Sequence, residues 1–232
     1  MGLPHYLAMT PEEFNHTHPL PDKIAWMSCR FSVKDPGLCQ LPQKLPGDSI
    51  LVLDDSVSPA DHDPAQVIRQ LKDCLPDVKG VLLDFQKPGC EETAAMAKAL
   101  AQELPCPVGV SECYAQGLDC PIFLPPVPLH IPLEEYLSSH KNREIWLDAA
   151  LGQETLTVTE NGTEFCSAIS TEIPEHRFYD ETLFCHYRIR LSENSVEFVL
   201  FDTGTSLQRK LAHAMSLGVK YTIGLWQEFR DF

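Results

Sequence analysis

Eight short apolar runs punctuate the chain, separated by polar, turn-rich stretches: HYLAM (5–9), KIAWMSC (23–29), SILVLDD (49–55), GVLLDF (80–85), PVGVSE (107–112), PIFLPP (121–126), EIWLDAAL (144–151) and KYTIGLW (220–226). Runs that are apolar at nearly every position need cover on both faces, which a parallel sheet flanked by helices provides. Eight of them predict closure into an irregular (β/α)8 TIM-like barrel rather than an open sheet. In such a barrel ligands meet the carboxyl ends of the strands, so the end of GVLLDFQKPG (Gly80 to Gly89) is the first place to look for a site.

The connecting segments carry helix signals of unequal strength. Asp63-Pro64 is a helix-starting pair, and the stretch it opens bears an apolar stripe at Val67, Ile68, Leu71 and Leu75. EETAAMAKALAQEL (91–104) is rich in helix formers and stops before Pro105. PLEEYLSSH follows the sixth run, and SLQRKLAHAMSLG ends at Gly218, a left-handed cap. Between the second and third runs DPGLCQLPQKLPGD reads as loop, which makes the barrel irregular early on.

After the seventh run the period changes to two. ETLTVTENGTEFCSAI alternates about Asn161-Gly162, a hairpin turn pair, and CHYRIRLSENSVEFVLFD repeats the device about Glu193-Asn194. The expectation is one domain, 1–232, with an antiparallel insertion over 152–202 between the seventh strand and its helix. Asn161-Gly162-Thr163 also fits a glycosylation sequon, but the hairpin explains it more simply.

Charge narrows the partners. The formal net charge is −15, with 18 Lys and Arg against 33 Asp and Glu and no basic run. Nucleic acid and anionic membrane surfaces are therefore not expected partners. No apolar stretch is long enough for a membrane span, and MGLPHYLAMTPEEF lacks the charged and apolar regions of a secretory signal. Nine scattered cysteines form no CxxC pair. This predicts no zinc ribbon and fits a reduced, cytoplasmic setting. His16 and His18 in NHTHPLPD and His62 in DHD lack the helical HExxH spacing, so no metal or other cofactor is expected. Nothing in the sequence sets an oligomeric state.

The fourth run and the carboxyl end resemble the family-18 glycoside hydrolases, the chitinase-like barrels. Their fourth strand reads D-G-x-D-x-D-x-E, followed by an aromatic residue, Pro and Gly. On this chain Lys79 stands at the first Asp, Gly80 matches, Leu82 stands at the second Asp and Asp84 matches the third. Phe85 replaces the usual Trp, Gln86 takes the place of the catalytic Glu, and Pro88-Gly89 matches. Near the carboxyl end Asp202, Ser206, Lys210, Gly218, Gly224 and Trp226 occur in the family's order, after an insertion placed as in the family. The sixth strand, PIFLPP, has no counterpart of the family's Met-x-Tyr-Asp element, and SILVLDDSVSP replaces its Gly-rich third strand.

The resemblance implies a cleft that takes an N-acetylated amino-sugar oligomer, with Asp84, Gln86 and Trp226 binding it. In the family, the sugar's acetamide attacks the anomeric carbon while the Glu protonates the leaving oxygen. Gln86 keeps the reach of Glu but has no proton to give. A general acid contributes a factor of ~10²–10⁴, so its loss leaves a carbohydrate-binding protein without family-type catalysis. Two alternatives remain open. An active hydrolase could use a relocated acid, Glu112 first among the strand-end carboxylates that also include Asp54, Asp55, Asp148 and Glu228. A scaffold could have a closed cleft and bind protein. For Asp84 the plainer role is a paired barrel carboxylate, for Gln86 an ordinary polar rim residue, and for Trp226 packing of the rim.

Overall fold

A computed structural model describes residues 5–74, 78–167 and 176–230. In chain order the elements are β1 (His5–Met9), α1 (Pro11–His16), β2 (Ile24–Phe31), β3 (Leu38–Cys39), β4 (Ser49–Asp54), α2 (Pro64–Cys74), β5 (Val78–Asp84), α3 (Glu91–Glu103), β6 (Val108–Ser111), β7 (Ile122–Leu124), α4 (Leu133–Ser138) and β8 (Ile145–Ala149). There follow β9 (Gln153–Thr159), β10 (Gly162–Ser167), β11 (Phe178–Asp180), β12 (Cys185–Leu191), β13 (Ser195–Phe201), α5 (Gly204–Ser216), β14 (Val219–Leu225) and α6 (Trp226–Phe229).

All eight apolar runs become barrel strands. The order β1-β2-β4-β5-β6-β7-β8-β14 is parallel throughout and closes through β14 onto β1. Side chains alternate inward and outward along each strand. Tyr6, Ala8, Ala25, Ile50, Val52, Leu82, Phe123, Trp146 and Ile223 form the interior. Their sequence neighbours Leu51, Leu53, Val81, Leu83, Ile145 and Leu147 pack outward under the helices. Trp146 is fully buried, and glycines give it room. A Cβ at Gly109 would sit 2.5 Å from the indole, and one at Gly80 3.3 Å from it and 2.8 Å from the Pro107 carbonyl.

The early irregularity is real. No helix joins β2 to β4; instead β3 adds to β2 in antiparallel fashion at Arg30–Cys39 and Phe31–Leu38. Helix α2 starts at Pro64, with the Asp63 carboxylate accepting from the Ala65 amide at 3.0 Å, and buries Val67, Ile68 and Leu71; Leu75 lies outside the described residues. Two points differ from the sequence reading. Thr10 and Glu13 form a reciprocal capping box that starts α1, a helix the apolar pattern alone does not reveal because it buries nothing. The eighth strand stops at Leu225, so Trp226 opens α6 instead of ending the strand.

The insertion is a separate five-stranded antiparallel sheet, ordered β10-β9-β13-β12-β11. Both hairpins form in the expected places, Gly162 pairing with Thr159 and Leu191 with Val196. Gly218 has φ +99°, as its place after α5 requires.

Candidate functional site

The inward positions of β5 run Gly80, Leu82, Asp84, so the carboxylate emerges just above the packed interior. Two cavities, of about 460 Å³ and 200 Å³, open there and share Asp84, Gln86, Phe123 and Asp148 in their walls. Asp148 reaches the same space from β8 as the next inward residue after Trp146. Ser111, Glu112, Pro125 and Pro126 complete the larger cavity on the β6 and β7 side.

Gln86 is held in place from two directions. Its Nε2 donates to Asp84 Oδ1 at 3.1 Å and Oδ2 at 3.3 Å. Its backbone N–H donates to Asp55 Oδ1 at 3.1 Å, and the Lys87 N–H to Asp55 Oδ2 at 2.9 Å. Lys87 Nζ returns to the Asp55 and Ser56 carbonyls, and the Tyr114 hydroxyl donates to the Lys87 carbonyl. Asp55, buried, is therefore a clamp on the loop after β5.

The other strand-end carboxylates separate into structural and cavity-facing groups. Asp54 Oδ1 accepts from the Ser56 N–H at 2.8 Å, and Glu228 Oε2 from the Leu151 N–H at 2.8 Å. Glu112 lies beyond the end of β6, lines the larger cavity and meets His140 Nε2 at 3.1 Å. Asp202 is tied to Lys210 at 2.9 Å, with Ser206 and the Gly152 N–H also on its carboxylate. That buried ion pair anchors α5 to the end of β13.

Burial dominates the electrostatics at the mouth. Asp148 is pushed up to about 7 by burial, then by the charge of Asp84, with Glu228 adding and the Ala149 N–H opposing. Asp84 is raised by burial against the hydrogen bond from Gln86, with Asp54 and Asp55 adding. Two carboxyls that burial and mutual repulsion discourage from ionising face one cavity.

Asp84, Gln86 and Glu112 thus come together, and Trp226 stands apart from them. Half-buried at the start of α6, it lines a separate groove of about 560 Å³ with Glu12, Glu13, His16 and Arg230, one residue along from Leu225 in the wall of the smaller cavity. Tyr136 is the group sequence reasoning did not find. Its hydroxyl donates to the Pro125 carbonyl at 2.9 Å, and burial, Glu112 and Asp148 all raise its pKa. Only the packing of α4 brings it there, and no local signal marks it.

No protein-family profile matches the chain, and no curated protein matches it. Solved structures do. The spore cortex-lytic enzyme SleL of Bacillus cereus aligns over 96% of this chain and 70% of its own, at 12% identity and a TM-score of 0.53. A chitinase from Chromobacterium violaceum aligns over 96% and 93%, at 7% identity and 0.53. The chitinase ChiW of a Paenibacillus species aligns over 97% of this chain but 41% of its own, at 10% identity and 0.56. At these identities the likeness establishes a shared fold: a closed parallel barrel of the kind found in chitinases and a cortex-lytic enzyme.

Proposed function

We propose that the protein binds an N-acetylated amino-sugar oligomer at the carboxyl face of the barrel and lacks family-18 catalysis. The observation that carries this reading is the Asp84–Gln86 pair. It lies at the end of β5, beside an open cavity, with the amide of Gln86 donating to Asp84 where family members need a proton donor. An amide cannot protonate a leaving oxygen at any useful pH. Phe85, Phe123, Pro125 and Pro126 in the wall offer apolar surface for sugar ring faces. Trp226 contributes from the adjoining groove as an outlying contact. The space at the mouth speaks against the closed-cleft scaffold.

A second reading, a hydrolase with a relocated acid, draws support from Asp148 and Glu112 in the same cavity. A carboxyl held near 7 is suited to giving up a proton at neutral pH. Calorimetric titration with chitin oligomers, run beside a chromogenic glycoside panel, separates the readings. Binding without turnover is expected, and binding lost in Asp84→Ala. Turnover abolished by Glu112→Gln or Asp148→Asn would establish the second reading; no binding of any amino-sugar oligomer would sink the first, and no turnover on the panel would sink the second.

A further inference from the structure

Away from the barrel mouth, one face of the inserted sheet groups His186, Arg188 and Arg190 with Tyr179, although the insertion as a whole is acidic. Tyr179 of β11 pairs across strands with His186 of β12, their rings 5.1 Å apart, and His186 stacks on Phe201 of β13 at 5.8 Å. Arg188 lies two residues from His186 and so shares its face of the sheet. From α5 the Arg209 guanidinium stands over the Tyr179 ring at 5.5 Å. Burial lowers the pKa of His186 and the charge of Arg177 lowers it further; Asp202 pulls the other way, by more than Arg209 adds to the lowering. Further along the face Arg190 is matched by Glu197 at 3.7 Å. Among the described residues, no carboxylate forms an ion pair with Arg188 or Arg209.

Unmet hydrogen-bonding capacity falls in the same place. Seven shielded side-chain polar atoms among the described residues have no hydrogen-bond partner, and three of them are Tyr179 Oη, His186 Nδ1 and Arg188 Nε. Such atoms are uncommon in folded proteins and call for a partner. A phenol and a guanidinium nitrogen donate, and the imidazole nitrogen donates in the appropriate tautomer. The other four, on His5, Arg30, Ser49 and His62, lie one by one on other parts of the chain.

We infer that Tyr179, His186, Arg188 and Arg209 form a site for an oxyanion, the phosphate or carboxylate group of a ligand. Arginine with hydroxyl and imidazole donors suits an oxyanion's several acceptor lone pairs, and charge-assisted bonds of this kind are the strong ones. The site is independent of the barrel mouth and of what binds there.

Titration of the full chain with inorganic phosphate, and separately with glucuronate and uncharged glucose, tests this by calorimetry. Phosphate or glucuronate should bind with an affinity that falls as salt is added, and glucose should not bind this face. Tighter phosphate binding would indicate a phosphorylated ligand, and tighter glucuronate a carboxylated one. Arg209→Gln, an exposed change on α5, should weaken the anion by about tenfold or more, and Arg188→Gln likewise. Lys34→Gln, the same loss of charge on a distant loop, should leave it unchanged. Binding of neither anion, or equal weakening by Lys34→Gln and Arg209→Gln, would overturn the site. Should Arg188→Gln fail to fold, the Arg209→Gln comparison decides alone.

Discussion

Asp148→Asn should make the protein more stable, and only above the acid range. Burial pushes the native carboxyl up to about 7, against 3.8 for a free aspartate. At 1.36 kcal/mol for each pH unit of difference, holding it in the fold costs at most about 4 kcal/mol once it is ionised. The sign follows from proton counting. Below the unfolded pKa both states carry the proton and the residue is neutral in stability. Between that value and about 7 the unfolded chain releases the proton while the native chain keeps it, so stability falls as pH rises. Above 7 the penalty is constant. Asparagine never ionises, and its side-chain oxygen can still accept from the Ala149 N–H. Urea unfolding of wild type and variant at pH 4 and pH 8.5 is the assay. The midpoints should nearly coincide at pH 4 and separate at pH 8.5, with the variant higher. A shift of equal size at both pH values, or a variant less stable at 8.5, would show that burial of this carboxyl is not what raises its pKa.

Three further substitutions probe the architecture and the site. Asp202→Asn strips the charge that balances the buried Lys210 and should destabilise by about 3–5 kcal/mol in urea unfolding. A loss under 1 kcal/mol would mean that the pair is not shielded from water. Gly109→Ala drives a methyl into Trp146 and should lower stability by about 1–3 kcal/mol, with changed indole fluorescence reporting the displaced ring. Gln86→Glu places a proton donor beside Asp84 and should bring measurable hydrolysis of a chromogenic amino-sugar glycoside where wild type shows none. Continued inactivity, with oligomer binding retained, would show that more than the general acid is missing.

The barrel was legible because its strands are buried on both faces: burial on two sides leaves an uninterrupted apolar run, and all eight runs became strands. The inserted hairpins were legible for the opposite reason. A half-exposed sheet alternates, and its turn pairs stand out between the alternating arms. Helix α1 buries no residue, so no apolar stripe marks it; its signatures are all at its start, the Thr10–Glu13 capping box with Pro11 in the first turn. The end of β14 was placed one residue late, since an apolar indole extends the pattern of a strand as readily as it begins a helix.

The site was legible in proportion to how far period-two alternation reaches. On β5 it carries Asp84 to the inward side at the strand's end, and on β8 it lifts Asp148 above Trp146 toward the same cavity; Gln86, two residues past β5, is held there by its own hydrogen bonds. Where the chain leaves the strand the rule ends, and so does the inference. Asp54 and Asp55 adjoin in sequence, yet one caps a turn and the other clamps the loop that carries Gln86. Neither role follows from a carboxylate's position near a strand end. Tyr136 and His140 reach the cavity's neighbourhood through α4 and the turn after it, whose placement depends on packing across the barrel wall. The basic face of the insertion depends on β11 lying beside β12 and on α5 bringing Arg209 over Tyr179. Overall charge argued against anionic partners, but a sum over the chain is silent about where its few cations gather. Local charge decides binding within a Debye length of roughly 8 Å at physiological salt, and among the described residues no carboxylate is ion-paired with Arg188 or Arg209.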